Sequence, residues 1–518
     1  MQLDNLDIVT LLVYLLGMAA IGVYFSRKNT STEEYFVGGR SISGWVIGLS
    51  LVGTSISSIT FLAYPADAFK TGWLRYLPNL MLPLAVVIAA YVFLPFFRRG
   101  DTMTAYQYLE ERFGPSIRIY GAVAFIVGQV VRISLILYLL SLLVQEVSGL
   151  SPITSILIGG LFVGLYTLIG GIDAVIWTDV IQTVVLVLGG LISLYIIVDH
   201  LPGGMGQIFD VASSHGKFAF AEWQNGQAQP VDWGLSLSSK TGTMMLLFGL
   251  TVWLTEYSAN QNTVQRYCAA KSTQEARRAM YICAASSLPI WAFYMFLGTS
   301  LYVFFQAFPA PEATEVLEGA RKAEQIFPFF ITHYLPAGVT GLVIASALAA
   351  AMSSLDSSIN AISAVSVVDI YKRHVRPGRD DRHYLWVARL ITALVSLLMM
   401  LGAWYLVEAE TKTLQDSATI LASLLGGGLL SMYLVGFLTR KGDARAVWAG
   451  IVATMIFTAW TLLAKKGLLP ESLSVPFDLY YTGIIGNVVM FVVVYFAATI
   501  WHSRQPPKGL TVWDKGEE

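Results

Sequence analysis

Gly48-Leu49-Ser50-Leu51-Val52-Gly53-Thr54-Ser55-Ile56-Ser57-Ser58-Ile59-Thr60-Phe61 stands in the middle of a stretch, about 43–69, that is otherwise apolar enough to cross a lipid bilayer. Six hydroxyl side chains crowd its centre. Each can bond back to the preceding helical turn, so one alone costs little. Their density beside Gly53, a helix-weakening residue, predicts a segment that unwinds and turns carbonyls toward a ligand or ion. Close packing of small residues between helices is the other reading of the same stretch.

Working outward, thirteen stretches are apolar enough to span, about 7–26, 43–69, 75–97, 119–147, 152–172, 175–198, 241–265, 279–305, 336–371, 385–407, 417–438, 443–464 and 479–502. Charged residues are 13% of the 518 and hydrophobic ones 55%, with a mean hydropathy of +0.62. A water-soluble domain carries about a quarter charged residues. The chain therefore reads as an all-α membrane protein of about 13 transmembrane helices, each closing its own backbone hydrogen bonds as lipid requires. Arg27, Lys28 and Arg40 follow the first span; Arg98, Arg99, Arg112 and Arg118 the third; Arg266, Lys271, Arg277 and Arg278 the seventh. Lys372, Arg373 and Arg376 follow the ninth, Arg440, Lys441 and Arg445 the eleventh, and Arg504 and Lys508 the last. With thirteen spans all of these fall on one side, cytoplasmic by the positive-inside rule. The expected protein has its amino terminus outside and its carboxyl terminus in the cytoplasm. The first span is not read as a signal peptide, because its basic residues follow it. Thr102–Phe113 is expected to lie as a short amphipathic helix on the cytoplasmic face, presenting Tyr106, Tyr108, Leu109 and Phe113 to the interface. Cys268 and Cys283 are too few for a disulfide framework and read as inert buried thiols.

Several spans carry polar residues that a simple anchor does not need. The ninth is the densest: Ala349-Ala350-Ala351-Met352-Ser353-Ser354-Leu355-Asp356-Ser357-Ser358-Ile359-Asn360-Ala361. Positions 350, 353, 354, 357 and 358 share one helical face. Hard, mostly neutral oxygens on a tight face suit a small alkali cation, whereas Ca²⁺ calls for several carboxylates. Asp356 and Asp179 are intramembrane carboxylates, expensive in lipid and read as functional unless they cap or pair structurally. Arg132 is too far inside the fourth span to snorkel. It needs a buried carboxylate such as Asp179 or Asp356, a water-filled cavity, or an anionic substrate that its guanidinium would clamp bidentately. The seventh span holds Glu256, Tyr257, Ser258, Asn260, Gln261 and Asn262, amides and aromatics that suit a sugar or pin helices together. Gly426-Gly427-Gly428 predicts a break in the eleventh span, Gly170-Gly171 a cytoplasmic turn, and 200–236 a surface excursion. No nucleophile–base set or histidine cluster argues for an enzyme. A net charge of −1 without a basic stripe argues against nucleic acid.

The second and seventh spans, both unusually polar, are five apart. Setting the first span aside, they open two consecutive five-helix units of opposite direction, the pattern of an inverted repeat with a midplane site. This gives an extra helix and cytoplasmic loop over 1–42, a first repeat over 43–198, an extracytoplasmic loop over 199–240, a second repeat over 241–438, and two final helices and a tail over 439–518.

Several motifs resemble the sodium:solute symporter family, which contains the sodium–glucose cotransporters, over essentially the full length. They are Glu33-Glu34-Tyr35-Phe36-Val37-Gly38-Gly39-Arg40, Ser57–Phe61, Gly170–Gln182, Val264-Gln265-Arg266-Tyr267, and Ser353–Asn360 with Asp369-Ile370-Tyr371. The resemblance implies a LeuT-like fold of inverted five-helix repeats and Na⁺-coupled symport. It places one Na⁺ site, Na2, at the carbonyls of Gly53, Ile56 and Ala350 and the hydroxyls of Ser353 and Ser354. Within the family the chain is similar to bacterial sodium/sialic acid symporters, which implies a second site, Na3, at Asp179, Ser57, Ser353, Asp356 and Ser357. Asp356 stands there where a serine is expected, so it would hold an ion or a proton. The same likeness implies an anionic sugar, sialic acid, met by Arg132 with Ser55, Ser57 and Thr60, with Asn79 in place of a glutamine; Asn260 and Gln261 of the seventh span's amide cluster are added as sugar partners. A neutral sugar, myo-inositol or a monocarboxylate is the alternative, and the transporter is expected to work as a monomer in the bilayer.

Overall fold

Runs of leucine, valine, isoleucine and alanine, with backbone groups paired within each segment, leave the molecule almost entirely helical. The computed structural model describes residues 3–27, 30–99, 102–224, 227–408, 427–465, 467–503 and 506–514. Among these residues nine helices are long and apolar enough to cross a membrane, and ten if one bent pair counts as a single span. In chain order the elements that matter here are α1 (Asn5–Ser26), α2 (Gly44–Ser55), α3 (Ile59–Lys70), α4 (Leu74–Phe97), α5 (Ala105–Phe113), α6 (Pro115–Ser148) and α7 (Pro152–His200). Then come α8 (Gly204–Ser214), α9 (Gly242–Ala259), α10 (Gln261–Ala269), α11 (Thr273–Ala307), α12 (Val339–Val365), α13 (Asp381–Glu408), α14 (Leu429–Leu438), α15 (Ala444–Lys465) and α16 (Tyr481–Ile500).

The 49 residues of α7 would reach about 70 Å as one straight helix, against a lipid core of about 30 Å. The chain solves this at Gly171, whose φ of 62° and ψ of −168° are open to glycine, so one hydrogen-bonded run serves as two spans. α12 forms the core. Nearly every one of its side chains is buried, and it packs chiefly along α7, then against α6 and α1. The expected break at Gly426 and the span residues 417–426 lie outside the described residues; Gly428, at φ 91°, starts α14. The 200–236 excursion contains α8 and an antiparallel hairpin of β1 (Ala221–Gln224) and β2 (Gln227–Pro230). Cys268 and Cys283 are free and buried.

The amphipathic helix forms as expected, but its apolar face is turned the other way. Tyr106, Tyr108, Leu109 and Phe113 are buried in protein rather than offered to lipid. The Tyr106 hydroxyl donates to the Ala259 carbonyl at 2.8 Å, and the Tyr108 ring stacks on Tyr433. Arg112, expected as a loop charge, is buried too and donates to the carbonyls of Gly436, Thr439, Lys441 and Gly442. Its positive charge thus meets the exposed carbonyl end of α14, where a helix dipole favours a cation. Beside it Glu110 takes Arg118 at 2.5 Å and Arg373 at 2.6 Å. Burial pushes the Glu110 carboxyl upward, yet the two guanidiniums outweigh it and hold it below the ordinary carboxylate range. Arg112→Ala should take their arginine donor from four carbonyls, two of them fully buried, and lower the melting temperature of the purified protein, by roughly 2–4 kcal/mol of stability. An unchanged melting curve would show that water replaces the side chain.

Candidate functional site

The hydroxyl-rich stretch breaks as expected. α2 ends at Ser55, Ile56 is extended at φ −104° and ψ 107°, and α3 restarts at a 58° bend. The Ser57 hydroxyl accepts from the Ile59 amide at 3.2 Å and so helps restart the helix. The carbonyls at the break face α12. Ser353 Oγ donates to Gly53 O at 2.9 Å and reaches Ala350 O at 3.3 Å, while Ser354 Oγ reaches Thr54 O at 3.4 Å. Gly53 lets α2 approach α7 on its other side, because a Cβ there would meet Thr183 Oγ1 and the backbone of Asp179 on α7. Of the five expected Na2 residues, Gly53, Ala350 and Ser353 therefore meet through the Ser353 hydroxyl, Ser354 bonds to the neighbouring Thr54 carbonyl, and Ile56 is the break itself.

A second polar cluster lies next to it. Asp179 Oδ2 accepts from Ser50 Oγ at 2.5 Å and from Arg266 Nη2 at 2.7 Å, and both charged residues are fully buried. Arg266 also donates to Ser357 Oγ at 2.7 Å, to Ser50 Oγ at 2.8 Å and to Asn262 O at 2.7 Å. This corrects the expectation of Arg266 as a cytoplasmic loop charge. All nine residues of α10 are buried, so the helix after the second break carries its last-turn arginine inward. Asp356 accepts from Tyr166 Oη at 2.6 Å and more distantly from Thr178 Oγ1 at 3.5 Å, both neutral donors. Asp179 Oδ1 is buried and has no hydrogen-bond partner among the described residues.

The break at α9–α10 mirrors the first. Asn260 is extended at φ −86° and ψ 116°, and its side chain caps α10 through the Asn262 amide at 3.0 Å. Between the two breaks lies a cavity of about 980 Å³. Ser55, Ser57, Thr60, Asn79, Arg132 and Asn260 all line it, together with Gln129, Glu256, Trp253 and Trp291. It continues past Lys70, Glu222 and Arg321 to the face that bears the hairpin. Asn79 is oriented by its Nδ2 donating to the Tyr64 hydroxyl at 2.7 Å. Gln261 does not reach the cavity. It is fully buried and holds α5, accepting from the Ala105 amide and donating to Met103 O, each at 2.8 Å.

For Arg132 the structure removes one of the readings the sequence left open, a pairing with Asp179 or Asp356. Asp179 is taken by Arg266 and Asp356 by Tyr166, and no carboxylate pairs with Arg132 among the described residues. Its longest-reaching contact is Nη2 to Thr54 O at 3.5 Å, at the edge of hydrogen bonding. Half-buried Arg132 thus lines the cavity with one long contact to a backbone carbonyl and no charged partner among the described residues.

Residues 35–453 match the sodium:solute symporter family. The chain belongs to that family. It is 30% identical over 521 residues to the sodium/sialic acid symporter of Proteus mirabilis, covering 99% of each chain. It is 28% identical over 500 residues to the sodium/sialic acid symporter of Aliivibrio fischeri, covering 96% of this chain and 94% of that one. Among solved structures it is similar to the substrate-bound, outward-open state of a Na⁺-coupled sialic acid symporter. That match has a TM-score of 0.85 at 28% identity, and it covers 96% of this chain and 98% of the other. The two broken helices and the cavity between them are therefore features of a symporter fold, and the molecule is a transporter rather than an enzyme.

Proposed function

We propose that the chain is a secondary active symporter that imports an acidic sugar, sialic acid, together with Na⁺ by alternating access. The observation that carries this is Arg132, a cation on the cavity wall that pairs with no carboxylate among the described residues. Its edge can take a substrate carboxylate while Ser55, Ser57, Thr60, Asn79 and Asn260 bond the rest. The thirteen spans in a LeuT-like pair of inverted repeats, with the amino terminus outside and the carboxyl terminus in the cytoplasm, complete the proposal. In that orientation the cavity opens outward, and the protein is a multi-pass inner-membrane protein working as a monomer.

Na⁺ at Gly53, Ile56, Ala350, Ser353 and Ser354 would replace the hydroxyl-to-carbonyl bonds that now join α2 to α12. The ion would hold the break in the shape that aims Ser55, Ser57 and Thr60 at substrate, so each ligand strengthens the other's binding by linkage. The neighbouring cluster holds two carboxylates, Asp179 and Asp356, against one guanidinium, Arg266. With both ionised that is one negative charge in excess, which burial disfavours strongly, so Asp356 would take either a proton or a cation. A second monovalent cation near Asp179 Oδ1, with Ser57, Ser353, Asp356 and Ser357, would neutralise it. Ser354→Ala should raise the half-saturating Na⁺ concentration about tenfold with little change in maximal uptake. A rise in substrate KM at saturating Na⁺ would instead place Ser354 in the sugar site.

Uptake into proteoliposomes under an inward Na⁺ gradient tests the substrate, comparing labelled N-acetylneuraminic acid with glucose. Sodium-dependent accumulation of the acid supports the proposal. Accumulation of glucose alone would assign the cavity to a neutral sugar.

A further inference from the structure

We propose that Glu256 is a specificity-determining residue, a carboxylate at the second helix break on the wall of the cavity that Arg132 also lines, which selects acidic substrates that also carry several hydroxyl donors. The inference rests on the acidic-sugar reading above and names what that site demands at the substrate's other end. Glu256 lies on α9, one turn before the break at Asn260, and its half-buried side chain lines the same cavity as Arg132. Its Oε2 accepts from Asn260 Nδ2 at 2.6 Å and its Oε1 from Thr263 Oγ1 at 2.8 Å. Among the described residues no lysine, arginine or histidine forms an ion pair with it.

A carboxylate has about four acceptor positions. Two are used within the protein, and water from the open cavity can fill the others. When the cavity closes around its substrate that water leaves, and a carboxylate short of donors is strongly disfavoured where the dielectric is low. The substrate must therefore supply the missing O–H groups. A carboxylate at Arg132 with a polyhydroxy chain reaching Glu256 satisfies both side chains. Pyruvate or acetate satisfies one and strands the other. Beside Glu256, Trp253 and Trp291 set their rings 5.3 Å apart and tilted, an apolar wall suited to the C–H face of a sugar ring.

The test uses the full chain in proteoliposomes. It compares wild type, Glu256→Gln and Glu256→Ala for the KM of N-acetylneuraminic acid, the Ki of pyruvate as competitor, and the half-saturating Na⁺ concentration. Expected is a KM for the sugar acid raised about tenfold or more in Glu256→Ala, with Glu256→Gln intermediate. Pyruvate should begin to compete in both variants, and the Na⁺ requirement should stay put. If the ratio of pyruvate Ki to sugar-acid KM is the same in all three proteins, or KM moves only together with the Na⁺ requirement, Glu256 merely ties α9 to α10 and the proposal falls. Wild-type protein that shows no Na⁺-dependent uptake of the sugar acid removes the substrate reading and this inference with it. A wild type that takes up the acid while both variants keep its selectivity removes this inference alone.

Discussion

Arg132→Ala should abolish Na⁺-driven uptake of N-acetylneuraminic acid while leaving a folded, monodisperse protein. The two halves of that expectation come from the same geometry. Since no carboxylate pairs with Arg132 among the described residues, its removal orphans no buried negative charge, and the folding penalty should be about 1 kcal/mol or less. The loss for substrate is much larger. Two charge-assisted hydrogen bonds to a carboxylate, each contributing about 1.5–3 kcal/mol, set a loss in affinity of roughly two to four orders of magnitude. Arg132→Lys keeps the charge but not the planar fork, so it should fall between the two. Binding of the labelled acid to purified protein, alongside a melting curve for each variant, separates the effects. A sugar-acid affinity in Arg132→Ala within a few fold of wild type would sink the clamp.

Much of this architecture is legible in the sequence because lipid makes polarity informative. Hydroxyls crowded around Gly53 have no reason to be in a plain span, and the chain does break there, at Ile56. Ser353 and Ser354 share a helical face and do meet the carbonyls of that break. Arg132 is conspicuous because it is too deep to snorkel. What could not be read is which partner a polar residue meets. Arg266 follows an amide-rich helix end and counts as one more basic residue beside Lys271. Only the inward course of α10 brings it to Asp179 and Ser357. Gln261 and Asn260 are adjacent in sequence, yet the break sends one into the cavity and the other behind it to α5. Likewise the periodicity of Ala105–Phe113 reveals an apolar face but not whether protein or lipid covers it, and here protein does. Tyr166 carries no local signal for its bond to Asp356, which spans nearly two hundred positions.

Arg266→Ala should have the largest effect on stability of any single change in the cavity's surroundings. The variant leaves Asp179 buried with one hydrogen bond from Ser50 and no countercharge, and it strips the donor from Ser357. Removing one partner of a buried ion pair costs about 3–5 kcal/mol, enough to eliminate most folded protein from the membrane. Replacing both partners with apolar groups of similar volume avoids the unpaired charge and is often close to neutral. Arg266→Met combined with Asp179→Leu should therefore recover expression and much of the melting temperature. Transport separates structure from ion handling. If Asp179 Oδ1 helps to bind a second cation, the refolded double variant stays unable to accumulate substrate or shows a lower Na⁺ stoichiometry. If it transports with unaltered stoichiometry, the pair is only a buried strut joining α7, α10 and α12, and Asp356 takes its proton or cation without Asp179. The double variant reaches that decision even though the single one fails to fold.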